Sequence, residues 1–271
     1  MSTDLKPSAW SATASTYNSR IVQVTSQGGS ALLSLLTTLR PFTPHSKTLD
    51  SGCGSGALTA LLHSQCPCME ITAGDIAPGM RDQLSKRNLP IQIIPLDSTK
   101  PLVPQNLSAE SFTHAVTSFM LQFIPNAPFA IKEMQTILEP GGVVGNAIWS
   151  QNLIADPWNQ ACRNLDPHFK PNESAFDKAL KTTEDLEEAY REAGFVDITS
   201  EETELYLTFE SAEDFAEFFI HSGNPPFVMM MSTWKGNVED VRQELVRVTR
   251  EHFEDGKIFM VAACTVGRKP L

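Results

Sequence analysis

Glycine and acidic residues near residue 50 have the types and spacing of a ligand-binding turn. The segment from Leu49 to Gly56 reads Leu-Asp-Ser-Gly-Cys-Gly-Ser-Gly. Glycines let the backbone turn sharply and let a ligand approach it closely. The G-x-G-x-G spacing differs from the G-x-G-x-x-G of dinucleotide sites, and Asp50 would repel a pyrophosphate. The turn therefore predicts a cationic ligand, and a plain strand-to-helix turn is the alternative.

Two further acids end the next two predicted strands. Asp75 follows the apolar segment that begins at Ile71, and an acid there can accept hydrogen bonds from both hydroxyls of a ribose. Asp97 follows the apolar run 91–96 and can reach the exocyclic amine of an adenine, with help from Ser98. A turn cap is the alternative for Asp75, and an Asx turn for Asp97. Together with the glycine turn, the two acids indicate an adenosyl ligand.

These residues must be positioned by an alternation of strands and helices. Strands are predicted at 47–50, 70–75, 91–96, 112–118 and 143–149, and helices at 57–63, 78–86 and 127–138. This pattern is typical of parallel strands covered by helices on both faces, with the ligand at the carboxyl ends of the strands.

The rhythm changes after Trp149. Helices are predicted at 156–165, 183–193, 212–221 and 238–253, and strands at 195–209 and 257–268. We expect the last two strands to pair antiparallel at one edge, with the helices between them forming part of a lid. The fold class is therefore α/β, a Rossmann-like, mostly parallel sheet of seven strands with an antiparallel edge strand and a helical cap.

The chain divides into four predicted segments. Residues 1–30 form an N-terminal helical lid, with a helix at 9–24 that breaks at Gln27–Ser30 before a second helix at 31–39. Residues 31–150 form the cofactor-binding α/β core and 151–194 a helical cap. Residues 195–271 hold the final two strands, with cap helices inserted at about 210–255.

With these elements in order, residues 31–150 resemble the cofactor domain of the class I S-adenosylmethionine-dependent methyltransferases. Glu139-Pro140-Gly141-Gly142 is similar to the L-x-P-G-G turn of that family. The whole layout resembles fungal secondary-metabolite methyltransferases such as the gliotoxin thiomethyltransferase. The resemblance implies S-adenosylmethionine as cofactor. The residues it implies as cofactor-binding are Asp50, Gly52, Gly54, Asp75, Asp97 and Ser98. Gln122-Phe123 departs from the family, in which many members carry a His shortly after the fourth strand.

Other residues are placed at the cofactor by their position. These are Cys53, Ile76, Met80, Ser118 and Tyr17. Ser118 ends the fourth strand and would face the methionine part of the cofactor. Tyr17, with Trp10, would close over it from the N-terminal helix, and simple packing is the alternative for both.

Aromatic and methionine side chains predict an apolar acceptor site. Phe227, Met230 and Met231 lie in the segment 225–231, which we interpret as an adaptable apolar loop lining the acceptor. Trp149 ends the fifth strand, and Phe119 follows the fourth. Packing in the core is the alternative for this loop and for Phe119.

The expected reaction is an in-line displacement of methyl from sulfonium to a nucleophile. A thiol or phenol of low pKa needs no base, whereas an alcohol usually does. The weak base candidates are His221 and Tyr17, with His252 behind them; a solvated helix residue is the alternative for each His. No metal site is expected.

Charge and cysteine usage limit the partners. The net charge is −11, from 21 basic and 32 acidic residues, which disfavours phosphate backbones and anionic lipid. We expect a small-molecule acceptor, with no nucleic acid and no membrane. Five cysteines without framework spacing, and no apolar signal core in residues 1–10, indicate a cytoplasmic protein.

Three other functions remain open from the sequence. The first is a regulatory protein that binds S-adenosylmethionine, and the second is an enzyme that uses it in a non-methylating cyclisation. A nicotinamide-dependent oxidoreductase is the third alternative, and the glycine spacing opposes it.

Overall fold

The computed structural model describes residues 6–171, 180–252 and 256–271, without the side chains of 16–19, 152 and 252. The strands are β1 Lys47–Ser51, β2 Glu70–Asp75, β3 Gln92–Pro95, β4 Phe112–Ser118, β5 Leu138–Asn152, β6 Val196–Thr208 and β7 Lys257–Arg268. They form one sheet in the order β3-β2-β1-β4-β5-β7-β6.

Strands β1 to β5 pair in parallel, and β7 runs antiparallel between β5 and β6. The predicted antiparallel pairing of the last two strands is confirmed, with Leu205 opposite Met260 in the register. The Rossmann-like, mostly parallel seven-stranded sheet is therefore confirmed as well. The order reverses between β1 and β4, which is where such folds place a ligand.

Helices cover both faces of the sheet. They are α1 Pro7–Leu39, α2 Ala57–Gln65, α3 Pro78–Ser85, α4 Ala127–Ile137, α5 Asp156–Leu165, α6 Thr183–Ala193, α7 Ala212–His221, α8 Pro225–Met231 and α9 Val238–His252. One apolar cluster joins α1, α2, α5, α7 and α9 to the sheet, and another lies under α4 and α6. None of the described helices has the length and hydropathy needed to cross a bilayer.

Helix α1 corrects the predicted break at Gln27–Ser30. It continues through Gly28 and Gly29 as one helix of 33 residues. A Cβ on Gly28 would lie 2.4 Å from Cζ of Phe119, and one on Gly29 would lie 3.1 Å from Cδ1 of Leu61. The two glycines therefore allow close packing, and that packing offsets their helix penalty of about 1 kcal/mol each.

The predicted apolar loop at 225–231 is also corrected, because this segment is helix α8. Pro225 and Pro226 occupy its first turn, where a missing N–H costs nothing. The N–H of Val228 donates to the carbonyl of Asn224 at 2.9 Å, which starts the helical hydrogen bonding. Methionine is a good helix former, so the following residues continue the helix.

Candidate active site

Three adjoining cavities lie at the carboxyl ends of the central strands. We call them the large cavity, of about 350 Å³, the polar cavity, of about 50 Å³, and the aromatic cavity, of about 40 Å³. The large cavity shares Gly52, Gly54 and Ser118 with the polar cavity, and Trp10, Phe119 and Phe123 with the aromatic cavity. The end of β4, at residues 118–119, therefore lies where the three cavities meet.

The residues predicted to bind the cofactor gather around two of these cavities. Those lining the large cavity are Gly52, Gly54, Asp75, Ile76, Met80, Asp97, Ser98 and Ser118. Asp50 and Cys53 line the polar cavity. Tyr17 lies within α1, and its side chain is outside the described residues.

The glycine turn leaves open space beside its backbone. Gly54 has φ +54°, and a Cβ there would meet no atom within 4 Å, so its α-carbon faces the cavity. Gly52 has φ +73°, and a Cβ there would lie 2.5 Å from Cγ of Met120. The N–H groups of Gly52 and Cys53 donate to the carbonyl of Gly74 at 2.8 and 3.0 Å. The turn is thus held against β2 while Gly54 forms a cradle.

Asp50 is a buried carboxyl group with one oxygen unpaired. It is 1% exposed, and its Oδ2 accepts a hydrogen bond from the Thr59 hydroxyl at 2.6 Å. Its Oδ1 has no partner, and neither has the Oγ of Ser118 on the same cavity. Burial raises the pKa of Asp50 to about 7, aided by the nearby Asp75 and opposed by the Thr59 hydrogen bond. This arrangement suits a cationic group beside Oδ1.

Asp75 is oriented by the turn that it supports. Its carboxylate accepts hydrogen bonds from the N–H of Gly54 at 2.9 Å and of Ala77 at 2.8 Å. Burial raises the pKa of Asp75, and these two hydrogen bonds oppose the rise. Each oxygen keeps a lone pair for a further donor on the large cavity.

Asp97 forms the Asx turn considered above and also lines the large cavity. Its Oδ1 accepts from the N–H and the hydroxyl of Thr99 at 3.0 and 2.6 Å, and Lys100 lies 2.9 Å from Oδ2. Burial raises the pKa of Asp97, but the hydrogen bonds from Thr99 and Lys100 together lower it below its ordinary value. The neighbouring Ser98 hydroxyl is 2.8 Å from that of Ser51.

Phe119 occupies the junction of the cavities in an unusual conformation. Its φ is +56°, in the left-handed region that bulky residues rarely adopt, at a cost of about 1–3 kcal/mol. Its N–H donates to the carbonyl of Ala147 at 2.8 Å, and its ring stacks on Trp149. Bulky residues with positive φ concentrate at functional sites, so this conformation supports a role at the junction.

Gln122, the departure from the family pattern, holds Trp149 in place. Its Nε2 donates to the Trp149 carbonyl at 2.8 Å, and its Oε1 accepts the Trp149 N–H at 2.7 Å. Gln122 is 2% exposed. The residue thus acts on the peptide backbone as a neighbouring strand would.

Part of the predicted acceptor site lies at the aromatic cavity. Phe119, Trp149 and Phe227 line it. Met230 is buried in the core and Met231 is packed against that core, and neither is among the described residues lining the three cavities. The aromatic cavity borders the start of α8, at Asn224, Pro226 and Phe227, whereas the two methionines lie at the other end of this helix.

His221 is not among the described residues that line the three cavities. His221 is exposed at the end of α7, with its Nε2 3.8 Å from Glu217 one turn earlier. This corrects the prediction that His221 is a base. The side chain of His252 is outside the described residues. His114 is fully buried in β4, and burial lowers its pKa to about 4.

The described ranges contain no group of three or more His, Cys, Asp or Glu residues placed to hold a metal. Reasoning from sequence missed Thr25, which reaches the polar cavity from α1, and Asn224, which lines the aromatic cavity. Thr25 directly follows the predicted helix 9–24, so extending that helix would have included it. No local sequence pattern marks Asn224.

Comparison with known proteins finds a methyltransferase domain and methyltransferase relatives. Residues 49–145 match the model of a methyltransferase domain. The chain is 24% identical over 252 residues to methyltransferase tpcH of Aspergillus fumigatus, covering 82% of this chain and 84% of that protein. It is 26% identical over 172 residues to a malonyl-[acyl-carrier protein] O-methyltransferase of Paenibacillus, covering 62% of each chain.

A solved structure shows the same fold. It is a phosphoethanolamine N-methyltransferase 2 of Haemonchus contortus in complex with phosphomonomethylethanolamine and S-adenosylhomocysteine. The match has a TM-score of 0.52 and 16% identity, and it covers 89% of this chain. The chain spans about half the length of that protein, 53%.

The sheet, the glycine turn and the match of residues 49–145 to a methyltransferase domain support a class I S-adenosylmethionine-dependent methyltransferase. The chain is an enzyme, and S-adenosylmethionine is its cofactor. The residues present fit this molecule, because an unpaired carboxylate oxygen and an open glycine cradle face the adjoining cavities.

Proposed function

We propose that this enzyme methylates a thiol, hydroxyl or amine of a small, largely apolar molecule of secondary metabolism. One observation carries the proposal. The aromatic cavity shares Phe119 with the large cavity, and none of the described side chains lining it is titratable. Such a surface favours a neutral, apolar acceptor next to the methyl donor. The similarity of the overall layout to fungal secondary-metabolite enzymes supports the metabolic assignment.

The cofactor roles follow from the contacts. Asp50 would hold the cationic amino group at its unpaired Oδ1, and Asp75 would accept the two ribose hydroxyls. Asp97 and Ser98 would bind the adenine at the far end of the large cavity. When bound, the cofactor supplies the electrophilic methyl and its own leaving group.

The protein's own contribution is alignment and the exclusion of water. The rings of Phe119, Trp149 and Phe227 are buried and would fix the acceptor against the donor. No described side chain on the aromatic cavity is positioned as a general base. An acceptor that ionises readily, such as a thiol or phenol, therefore fits better than an aliphatic alcohol.

The test is to incubate the enzyme with trideuteromethyl-labelled S-adenosylmethionine and a panel of apolar thiols, phenols and amines. Mass spectrometry should detect the labelled methyl on at least one acceptor, with equimolar S-adenosylhomocysteine. Cofactor binding without labelled product would favour a regulatory role. A rearranged acceptor without added mass would favour a cyclisation.

A further inference from the structure

Asn224 presents a buried carbonyl oxygen without a partner. The residue precedes α8, is 6% exposed and lines the aromatic cavity. Its backbone is satisfied, since its N–H donates to the Ser222 hydroxyl at 3.2 Å and its C=O accepts from Val228. Its side-chain Oδ1 makes no hydrogen bond.

The start of α8 leaves this oxygen uncapped. Asparagine at a helix N-cap normally accepts a hydrogen bond from the N–H of the second or third helical residue. Pro226 at the second position has no N–H, and the N–H of Phe227 at the third position makes no capping bond to the Asn224 side chain. An orphaned buried acceptor costs about 1–3 kcal/mol, so a donor from outside the fold is expected here.

The other described residues lining the aromatic cavity have aromatic or aliphatic side chains. The ring centroids of Phe119 and Trp149 are 3.9 Å apart. Those of Phe227 and Phe219 are 4.5 Å apart, with 15° between the ring planes. Asn224 contributes the only side-chain oxygen among the described residues of its lining. Flat aromatic walls pack best against another planar ring.

The size of the cavity limits what enters it. About 40 Å³ admits the edge of a ring, so the rest of the acceptor must extend towards the large cavity. The border between the two cavities is formed by Trp10 and Phe123, whose rings lie edge to face at 5.1 Å. One end of the acceptor would thus lie beside the methyl donor at Phe119, and its opposite end would lie beside Asn224.

We propose that Asn224 is a specificity-determining residue. It accepts a hydrogen bond from a donor group on a planar aromatic acceptor, a group separate from the nucleophile that receives the methyl. The acceptor class is therefore an aromatic compound with at least two polar hydrogens, such as a dihydroxylated fused ring. This inference rests on the proposed function, because it assigns the occupant of the same site.

The experiment compares 2-naphthol with the 1,3-, 2,3- and 2,7-dihydroxynaphthalene isomers. Binding to the enzyme loaded with S-adenosylhomocysteine is measured by calorimetry, after confirming that the cofactor product itself binds. At least one isomer should bind the wild type about five- to tenfold more tightly than 2-naphthol, the effect of one added neutral hydrogen bond. Asn224→Leu should remove that preference, and Asn224→Asp, which keeps an oxygen, should retain it.

Met260→Leu is the matched control. Met260 is buried and lines the same cavity, and the substitution replaces one apolar side chain with another. It should leave the ratio of the two affinities unchanged even if both fall. An equal preference in wild type and Asn224→Leu, or no naphthol binding to the loaded enzyme, would overturn the inference. The wild-type comparison needs no variant, so it stands if Asn224→Leu fails to fold. Labelled product from any other acceptor would still uphold the methyl transfer, which separates the two failures.

Discussion

The ring of Phe119 lies nearly face to face on the indole of Trp149, with the centroids 3.9 Å apart and 22° between the planes. Phe119 directly follows β4, and Trp149 lies within the neighbouring parallel strand β5, so the stack is built on the sheet itself. Helix α1 supports it from the other side, because Gly28 leaves room for the Phe119 ring. The position of α1 therefore controls the ring that borders the large and aromatic cavities.

Replacing Gly28 should disturb this ring more than it disturbs the helix. Gly28→Ala places a Cβ 2.4 Å from Cζ of Phe119, and the overpacking of about 1–3 kcal/mol should outweigh the gain in helix propensity of up to about 1 kcal/mol. The rate of methyl transfer should fall more than the affinity for S-adenosylhomocysteine. Thermal unfolding and calorimetry measure the two effects.

Gly29→Ala is the control for the same helix. Its Cβ would meet the ends of Leu61 and Leu58 side chains at 3.1 and 3.2 Å, which can shift slightly. The gain in helix propensity of up to about 1 kcal/mol should offset that strain. Equal destabilisation by both variants would show that the Phe119 contact has no special importance.

The Gln122 amide predicts a second measurable effect. Gln122→Leu leaves the buried N–H and C=O of Trp149 unpaired, at about 1–3 kcal/mol for each orphaned group. Gln27 makes the same pair of bonds to the backbone of Tyr206, at 2.9 and 3.1 Å, but on the surface. Gln27→Leu should cost less than about 1 kcal/mol, because water replaces the amide there.

Urea unfolding compares the stabilities of the two glutamine variants. Because Trp149 lines the aromatic cavity, the rate of methyl transfer is the functional measurement. Methyl transfer should fall with Gln122→Leu and stay near wild type with Gln27→Leu. If both variants lost the same stability and activity, the amide of Gln122 would not be positioning Trp149.

Asp75 should contribute directly to cofactor affinity. Asp75→Ala removes the acceptor proposed for the ribose hydroxyls and also frees the N–H groups of Gly54 and Ala77. The affinity for S-adenosylhomocysteine should fall by about 1–3 kcal/mol. Asp82→Ala, at an exposed position of the neighbouring α3, serves as the control and should bind as wild type does. Unchanged affinity in Asp75→Ala, measured by calorimetry, would remove Asp75 from the site.

Asp50 should make cofactor binding depend on pH. Its pKa of about 7 means that the ligand-free carboxyl is protonated in mildly acidic solution, and a cationic amino group beside it favours the ionised form. Affinity for S-adenosylhomocysteine should therefore rise with pH up to about 7 and level off above it. Calorimetry at pH 6 in buffers of different ionisation enthalpy should detect a released proton. Asp50→Asn should flatten the profile, and an identical profile in both proteins would contradict the assignment.

The same carboxyl affects stability with a defined sign. Because the pKa of Asp50 is raised to about 7 from 3.8, its ionisation opposes folding, and the free energy of unfolding falls as pH rises between these values. His114 acts in the opposite direction, because burial lowers its pKa from 6.5 to about 4 and its stabilising effect is lost as pH falls through that interval. The difference between wild type and Asp50→Asn isolates the contribution of the carboxyl.

The sheet and part of the site could be predicted from local patterns. Asp75 and Ser118 follow apolar strand segments, and the carboxyl ends of parallel strands meet at one edge, so both line the large cavity. The break in α1 could not be judged locally, because the partner of Gly28 is Phe119, far along the chain. Helix α8 was predicted as a loop because two prolines indicate a turn unless they occupy a first helical turn.

The acceptor side depends on which way the helices face. Residue type alone favours His221 as a base, yet the end of α7 exposes it to solvent beside Glu217. Met230 and Phe227 are three residues apart, and only Phe227 of the two lines the aromatic cavity. Asn224 keeps an unpaired oxygen because no N–H of the first turn of α8 caps it, which is visible only once the helix is in place.

A single uninterrupted helix contributes to all three cavities. Trp10 borders the large and aromatic cavities, Ile21 and Val24 line the aromatic one, and Thr25 reaches the polar one. We therefore expect occupation of one ligand position to act on the other through α1. By thermodynamic reciprocity, if the cofactor tightens acceptor binding by seating α1, the acceptor tightens cofactor binding by the same factor. The coupling would then be measured as the same ratio of affinities whichever ligand is added first.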